Sequence, residues 1–114
     1  MVVDELSDAQ VDRIFQALSD STRRDIFRRV IHDGQSVSAL ASSYVMSFAA
    51  VQKHVAVLER AFLVTKKRRG REQVVHASLS TLHQAVALLD AYEKIWIRRA
   101  STIAEILGEQ GEGT

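Results

Sequence analysis

The amino-acid sequence predicts a mainly α fold with a small β-hairpin, and three observations carry that reading. Apolar residues recur at three-to-four-residue spacing in short segments up to about residue 61. The period then changes over residues 63–77, where β-branched residues flank the glycine of "KKRRGRE". From Ser80 onward helical spacing returns and is sustained for about 28 residues, roughly 40 Å of helix.

The first segment, "LSDAQVDRIFQALSD", places Ser7 three residues before Gln10, the spacing of a capping box at a helix start. Val11, Ile14, Phe15 and Leu18 follow at helical spacing. A second helix restarts at Asp20 or Ser21, turns Ile26, Phe27, Val30 and Ile31 inward, and ends at Gly34, a residue suited to a C-terminal cap. A third, short helix begins near Ser36 or Ser38, with Ala39, Leu40 and Tyr44 as packing positions.

Val45–Ser47 then breaks the periodicity, and Ser47 is a favourable N-cap for a fourth helix. That helix carries Val51, Val55 and Leu58 on one stripe. Ala49, Lys53, Ala56 and Arg60 face the opposite way, with Gln52 and His54 on the shoulders. A short helix, a three-residue turn and a second helix with a polar outward face make a helix-turn-helix over about residues 37–61.

Leu63, Val64, Thr65, Val74 and Val75 favour strands, and "RRGRE" with Gly70 at its centre reads as a hairpin tip. A basic hairpin over about residues 63–77, directly after a helix-turn-helix, is the wing of a winged helix. The last helix, about residues 80–107, keeps Leu82, Val86, Leu89, Trp96 and Ile103 on one narrow stripe, which suits a seam between two subunits. Leu88, Tyr92 and Ile95 add a second apolar strip, more than one small core needs. The expectation is a single winged-helix domain over residues 1–114, joined as a homodimer through a long C-terminal dimerisation helix. "GEQGEGT" is expected to fray.

The composition narrows the classes of function. At 114 residues and 46% apolar, the chain has the size of one domain with a modest core, for which pairing with a second copy buries further apolar area. It has no cysteine, which removes disulfides, thiolate zinc sites and a thiol nucleophile. The opening "MVVDELSDAQ" lacks the basic-then-apolar pattern of a secretion signal, and no apolar run approaches membrane-spanning length. A soluble cytoplasmic protein is the expectation. The net charge of +1 is unevenly spread: residues 1–46 carry five arginines against seven carboxylates, and residues 78–114 three cations against five. Residues 47–77 carry seven cations against two carboxylates. A basic middle third between acidic flanks suggests one face meant for a polyanion.

With these elements in order, the chain resembles the ArsR/SmtB family of winged-helix transcriptional repressors, from about Ile14 to Ala77. "ALSDSTRRDIFRRV" is similar to the family's opening, Ala-Leu-Ala-Asp-Pro-Thr-Arg-Arg followed by an apolar helix. "VSALASSYVMSFAAVQKHVAVLERAFLV" is similar to its helix-turn-helix, and "KKRRGREQVV" to its wing. The resemblance implies a homodimer joined through its first and last helices, with the second helix of the motif in the DNA major groove. Three positions depart from the pattern: Gln52 stands where the family usually has serine, Phe62 where it has glycine, and Ser21 where proline is common.

Double-stranded DNA is therefore the expected partner. Lys53 and Arg60 suit phosphates, Gln52 and His54 suit base edges or phosphates, and Ser47 stands at the helix start. Small Ala49 and Ala50 allow close approach to the groove. Arg68, Arg69 and Arg71 at the hairpin tip suit phosphates or an adjacent minor groove. His54, on a shoulder, also has the alternative of capping the core edge. No metal or other cofactor is expected: the thiolate sites that the resemblance implies would lie on the first helix of the motif, where "SALASSY" lacks thiols, and the histidines show no ligand spacing, which leaves only an oxygen-rich or intersubunit site as the alternative. No phosphate-binding glycine loop or nucleophile motif points to an enzyme. A winged helix used only for protein contacts remains the alternative. A small-molecule effector stays open; Tyr92 and Trp96 either border a site between dimer helices or, as aromatics at that spacing more often do, simply pack in the seam.

Overall fold

The computed structural model describes residues 6–112. The elements in chain order are α1 (Asp8–Leu18), α2 (Ser21–His32), β1 (Gln35–Ser36), α3 (Val37–Ala41), α4 (Phe48–Arg60), β2 (Val64–Arg69), β3 (Glu72–Ala77) and α5 (Leu79–Glu112). They divide into two compact units, one ending at Gln84 and the other beginning at Ala85.

Local capping sets the helix starts of the first unit. Ser7 and Gln10 form the capping box, the Gln10 backbone N–H donating to Ser7 Oγ at 3.1 Å and the Ser7 N–H to Gln10 Oε1 at 2.8 Å. Asp20 caps α2, its carboxylate accepting from the Arg23 backbone N–H at 3.0 Å. Arg23 and Arg24 then reach back to close α1: Arg23 donates to the carbonyls of Ala17 and Gln16, and Arg24 to that of Leu18, at 2.8–3.0 Å. Cations thereby satisfy the carbonyls that the helix end leaves without partners.

The core is formed by Ile14 and Ala17 of α1, Ile26, Phe27 and Val30 of α2, Val37 and Leu40 of α3, and Val51, Val55 and Leu58 of α4. Ala61, Leu63, Val64 and Val75 complete it from the wing side. Ile31, expected inward, is 43% exposed, Ala39, expected to pack, is exposed, and Phe15, on the apolar spacing of α1, is 40% exposed. In each helix the buried stripe is narrower than the apolar pattern, so residues one position beyond it turn out to solvent.

A short strand, β1, joins the hairpin to make a three-stranded antiparallel sheet in the order β1-β3-β2, with Gln35 opposite Val75 and Ser36 opposite Val74. Gly34 accordingly does not end α2 with a left-handed cap. The helix stops at His32, Asp33 is extended, and the chain runs straight into the strand. The glycine serves close packing instead, since a Cβ there would meet the His76 ring at 2.6 Å. Ser36 ends the strand and caps α3, accepting from the Ala39 N–H at 3.0 Å.

The turn of the helix pair spans residues 42–47, longer than the three residues expected. Residues 43 and 44 make backbone bonds to Leu40 and Ala41, three residues back, so the chain keeps coiling after α3 ends and reverses only at Val45–Ser47. In the wing, β2 and β3 pair from Val64–Ala77 to Arg69–Glu72. Gly70, at φ 63°, takes the first central position of the two-residue turn, the glycine-first pattern of a type II′ hairpin.

α4 ends at Ala61 with the Phe62 N–H bonded to Glu59 O at 2.9 Å and the Leu63 N–H to Leu58 O at 3.0 Å. These are the paired bonds of a Schellman motif, in which the residue after the cap is left-handed. Phe62 adopts that conformation, φ 60°, in place of the usual glycine.

In the second unit α5 continues to Glu112, so the "GEQGE" segment expected to fray is helical. Its apolar residues Val86, Leu89, Tyr92, Ile95, Trp96 and Ile103 are 47–65% exposed.

Candidate nucleic-acid interface

Helix α4 has one face in the core and the other bare. While Val51, Val55 and Leu58 are buried, Gln52, Lys53 and Arg60 are exposed. Among the described residues these three side chains make no hydrogen bond or ion pair. Ser47 uses its hydroxyl to cap the helix, accepting from the Ala50 N–H at 3.1 Å. Ala49 is exposed and Ala50 half-buried, so the first turn presents only methyl groups at these two positions.

His54 is placed differently. It turns toward the α1–α2 corner, with Nδ1 3.4 Å from Arg23 Nη1 and 3.9 Å from Asp20 Oδ2, and its side chain is 24% exposed. The Asp20 carboxyl lies below its ordinary range, chiefly because the Arg23 backbone N–H donates to it, with the Arg23 and His54 charges adding to the effect. Of the consecutive polar residues Gln52, Lys53 and His54, the first two are offered to solvent and His54 is tied into the protomer.

The wing presents the second group of cations. Arg68, Arg69 and Arg71 are exposed at the hairpin tip, and Arg68 Nε donates to Gly70 O at 3.2 Å, which holds its guanidinium over the turn. At the base of the wing Lys66 Nζ lies 3.4 Å from Glu59 of α4. That pair links the two basic elements across α4 and β2.

A network not legible in the sequence fixes the turn between α3 and α4. Asp25 of α2 accepts from the Tyr44 hydroxyl at 2.5 Å, from Arg28 at 2.5 Å and from Arg29 at 2.9 Å. Arg29 also lies over the Tyr44 ring, 5.4 Å from its centroid. These donors, the Tyr44 hydroxyl first, hold the Asp25 carboxyl well below the usual carboxylate range. Burial and the Asp25 hydrogen bond push Tyr44 up to about 12. Tyr44 thus stays a neutral donor, and the carboxylate anchors the loop that orients α4. The tyrosine reads in the sequence only as a packing residue, because its partner lies 19 positions earlier.

Of the residues expected at a subunit seam, Leu82 is half-buried in the first unit, and Val86, Leu89, Trp96 and Ile103 are exposed on α5. The first unit also contains an open cavity of about 340 Å³, whose lining includes Gln10, Ile14, Phe62, Thr65, Ser78 and Thr81. Tyr92 and Trp96 are 59% and 65% exposed. Among the described residues no three His, Asp or Glu side chains are grouped to hold a metal ion, and no helix is long and apolar enough to cross a membrane.

No family model matches the chain. It is 33% identical over 103 residues to the HTH-type transcriptional regulator Rv2034 of Mycobacterium tuberculosis, covering 90% of this chain and 94% of that protein. Among solved structures it is similar to an ArsR-like transcriptional regulator from Rhodococcus sp. RHA1, with TM-score 0.75, 33% identity, and coverage of 86% of this chain and 92% of that one. A homodimeric winged helix-turn-helix DNA-binding domain from Mycobacterium bovis superimposes with TM-score 0.62 over 77% of this chain and 89% of that one; at 23% identity it bears on the fold alone.

Proposed function

Because the chain belongs to the ArsR family of winged-helix transcriptional regulators, we propose that it acts as a homodimeric repressor binding a palindromic operator. One observation carries this reading: the bare side of α4 and the arginine tip of the wing offer five cations, Lys53, Arg60, Arg68, Arg69 and Arg71, beside an exposed Gln52. Cations position a protein on phosphates, and a glutamine in the major groove pairs with an adenine edge. His54, held toward Asp20 and Arg23, sets the orientation of α4 rather than touching a base. Ser47, Ala49 and Ala50 form the close-approach end of the helix.

The dimer follows from α5. Val86, Leu89, Trp96 and Ile103 are large apolar side chains left about half exposed at spacings of three and seven residues along one helix, a surface of the kind that marks an interaction site. Two copies joined there present two recognition helices to half-sites about one helical turn apart. Repression is the outcome expected when such a dimer occupies a promoter. An effector, if bound, has the cavity beside Phe62 or the Tyr92–Trp96 region available to it.

The test is selection of bound sequences from random duplex DNA with the full-length protein, followed by affinity measured against salt. Palindromic half-sites spaced by one turn are expected. If all five cations of both protomers meet phosphates, log affinity falls with log salt at a slope of about −9. Failure to enrich any sequence, with a salt-insensitive complex to a protein partner, would replace this reading with that of an interaction module.

A further inference from the structure

Phe48 is the first residue of α4 and breaks the pattern of its own stripe. By spacing it belongs with Val51 and Val55, which are 0% and 1% exposed, yet it is 47% exposed itself. The preceding turn adds Val45, fully exposed at 107%. The core therefore ends one turn before the apolar stripe does. Helical side chains lean toward the N-terminus, so a large side chain at the first position reaches past the helix end. That end is where a recognition helix brings its residues to base edges.

We infer that Phe48 is a specificity-determining contact that packs its ring against the 5-methyl group of a thymine in the major groove. The inference rests on the DNA-binding reading above and goes beyond it by naming the base. Thymine alone among the bases presents an apolar group in that groove, and phenylalanine is suited to it. The neighbours fit the same partner. Ala49 beside it is a methyl group that leaves room for a base pair, and Gln52 follows one turn on, roughly 40° round the helix. Four residues advance the helix by about 6 Å, close to two base-pair steps of about 3.4 Å. The half-site is therefore expected to hold a thymine read by Phe48 within about two steps of an adenine read by Gln52.

The experiment uses the full-length protein and the operator obtained by selection, with each thymine replaced in turn by deoxyuridine, which removes only the methyl group. Replacing the contacted thymine is expected to weaken binding about fourfold for one half-site and about fifteenfold for both. Phe48→Ala, at a half-exposed position, is expected to bind thymine and uracil duplexes equally there while still binding DNA. Folding of the variant does not decide the matter, because the first measurement alters only the DNA. Equal binding of the wild-type protein to every uracil-substituted duplex overturns the inference. So does a methyl effect that persists unchanged in Phe48→Ala. Absence of any operator overturns the functional reading itself, an outcome separable from the other two.

Discussion

The left-handed Phe62 gives a test of the fold that does not depend on any ligand. At φ 60° a side chain with a Cβ costs roughly 1–2 kcal/mol more than glycine. Glycine loses more unfolded-state entropy on folding, roughly 0.4–1 kcal/mol relative to alanine. The contacts of the Phe62 ring, which is 56% exposed, are absent from both Phe62→Gly and Phe62→Ala, so they cancel when the two variants are compared. At the middle of these ranges the difference leaves glycine ahead of alanine by about 0.8 kcal/mol, the reverse of the helix-interior order, in which alanine leads by about 1 kcal/mol. Urea unfolding of both variants at one fixed protomer concentration measures it, since assembly couples stability to concentration. Ala56→Gly, within α4, supplies the control with the ordinary order. An alanine variant as stable as the glycine variant, or more so, would refute the Schellman ending of α4.

Three further outcomes follow from the side-chain networks. Asp25→Asn should lower stability at neutral pH by about 1.5–3 kcal/mol, because it weakens charge-assisted bonds to Tyr44, Arg28 and Arg29. The folded carboxyl titrates below its unfolded value near 3.9, so its contribution is complete above that pH and is lost as pH falls through the folded value. Thermal melts from pH 7 down to about 2 should show a shallower acid limb in the variant. Gly34→Ala should cost about 1–3 kcal/mol, since the new methyl meets the His76 ring at 2.6 Å. His76→Ala in the same chain should recover most of that, a coupling read by a double-mutant cycle. Arg69→Ala, at the wing tip, should weaken binding to all duplexes alike and reduce the salt slope of the dimer by about 2, one phosphate for each protomer. An unchanged slope would remove the wing tip from the interface.

Element identity was legible where a local signal was strong. Ser7 with Gln10, Asp20, Ser36 and Ser47 each start a helix, because capping requires only residues three positions apart. The hairpin was legible for the same reason, with Gly70 between two strands of β-branched and basic residues. What escaped depends on partners far along the chain. Two residues, Gln35 and Ser36, are too few to show alternation, and they become a strand only because Val74 and Val75 lie beside them. Gly34 looks like a cap until His76, 42 positions on, occupies the space its side chain would need.

The interface divides along the same line, and the division has a physical cause. Residues opposite the core stripe of a helix are placed by its period alone, so spacing puts Lys53 and Arg60 on the bare face, and both are exposed. A residue on the shoulder is placed by whatever packs alongside. His54 is decided by Arg23 and Asp20, at least 31 positions earlier, and it turns inward while Gln52 on the other shoulder stays free. Phe48 is the harder case, because spacing assigns it to the core with Val51 and Val55. Only the point at which the core stops, one turn short of the helix start, turns an apparent packing residue into an exposed aromatic group at the head of α4. Period fixes the direction of a side chain but not the extent of what it packs against. For that reason the exposed side of α4 carries an apolar group at Phe48 that a search for polar and basic residues passes over.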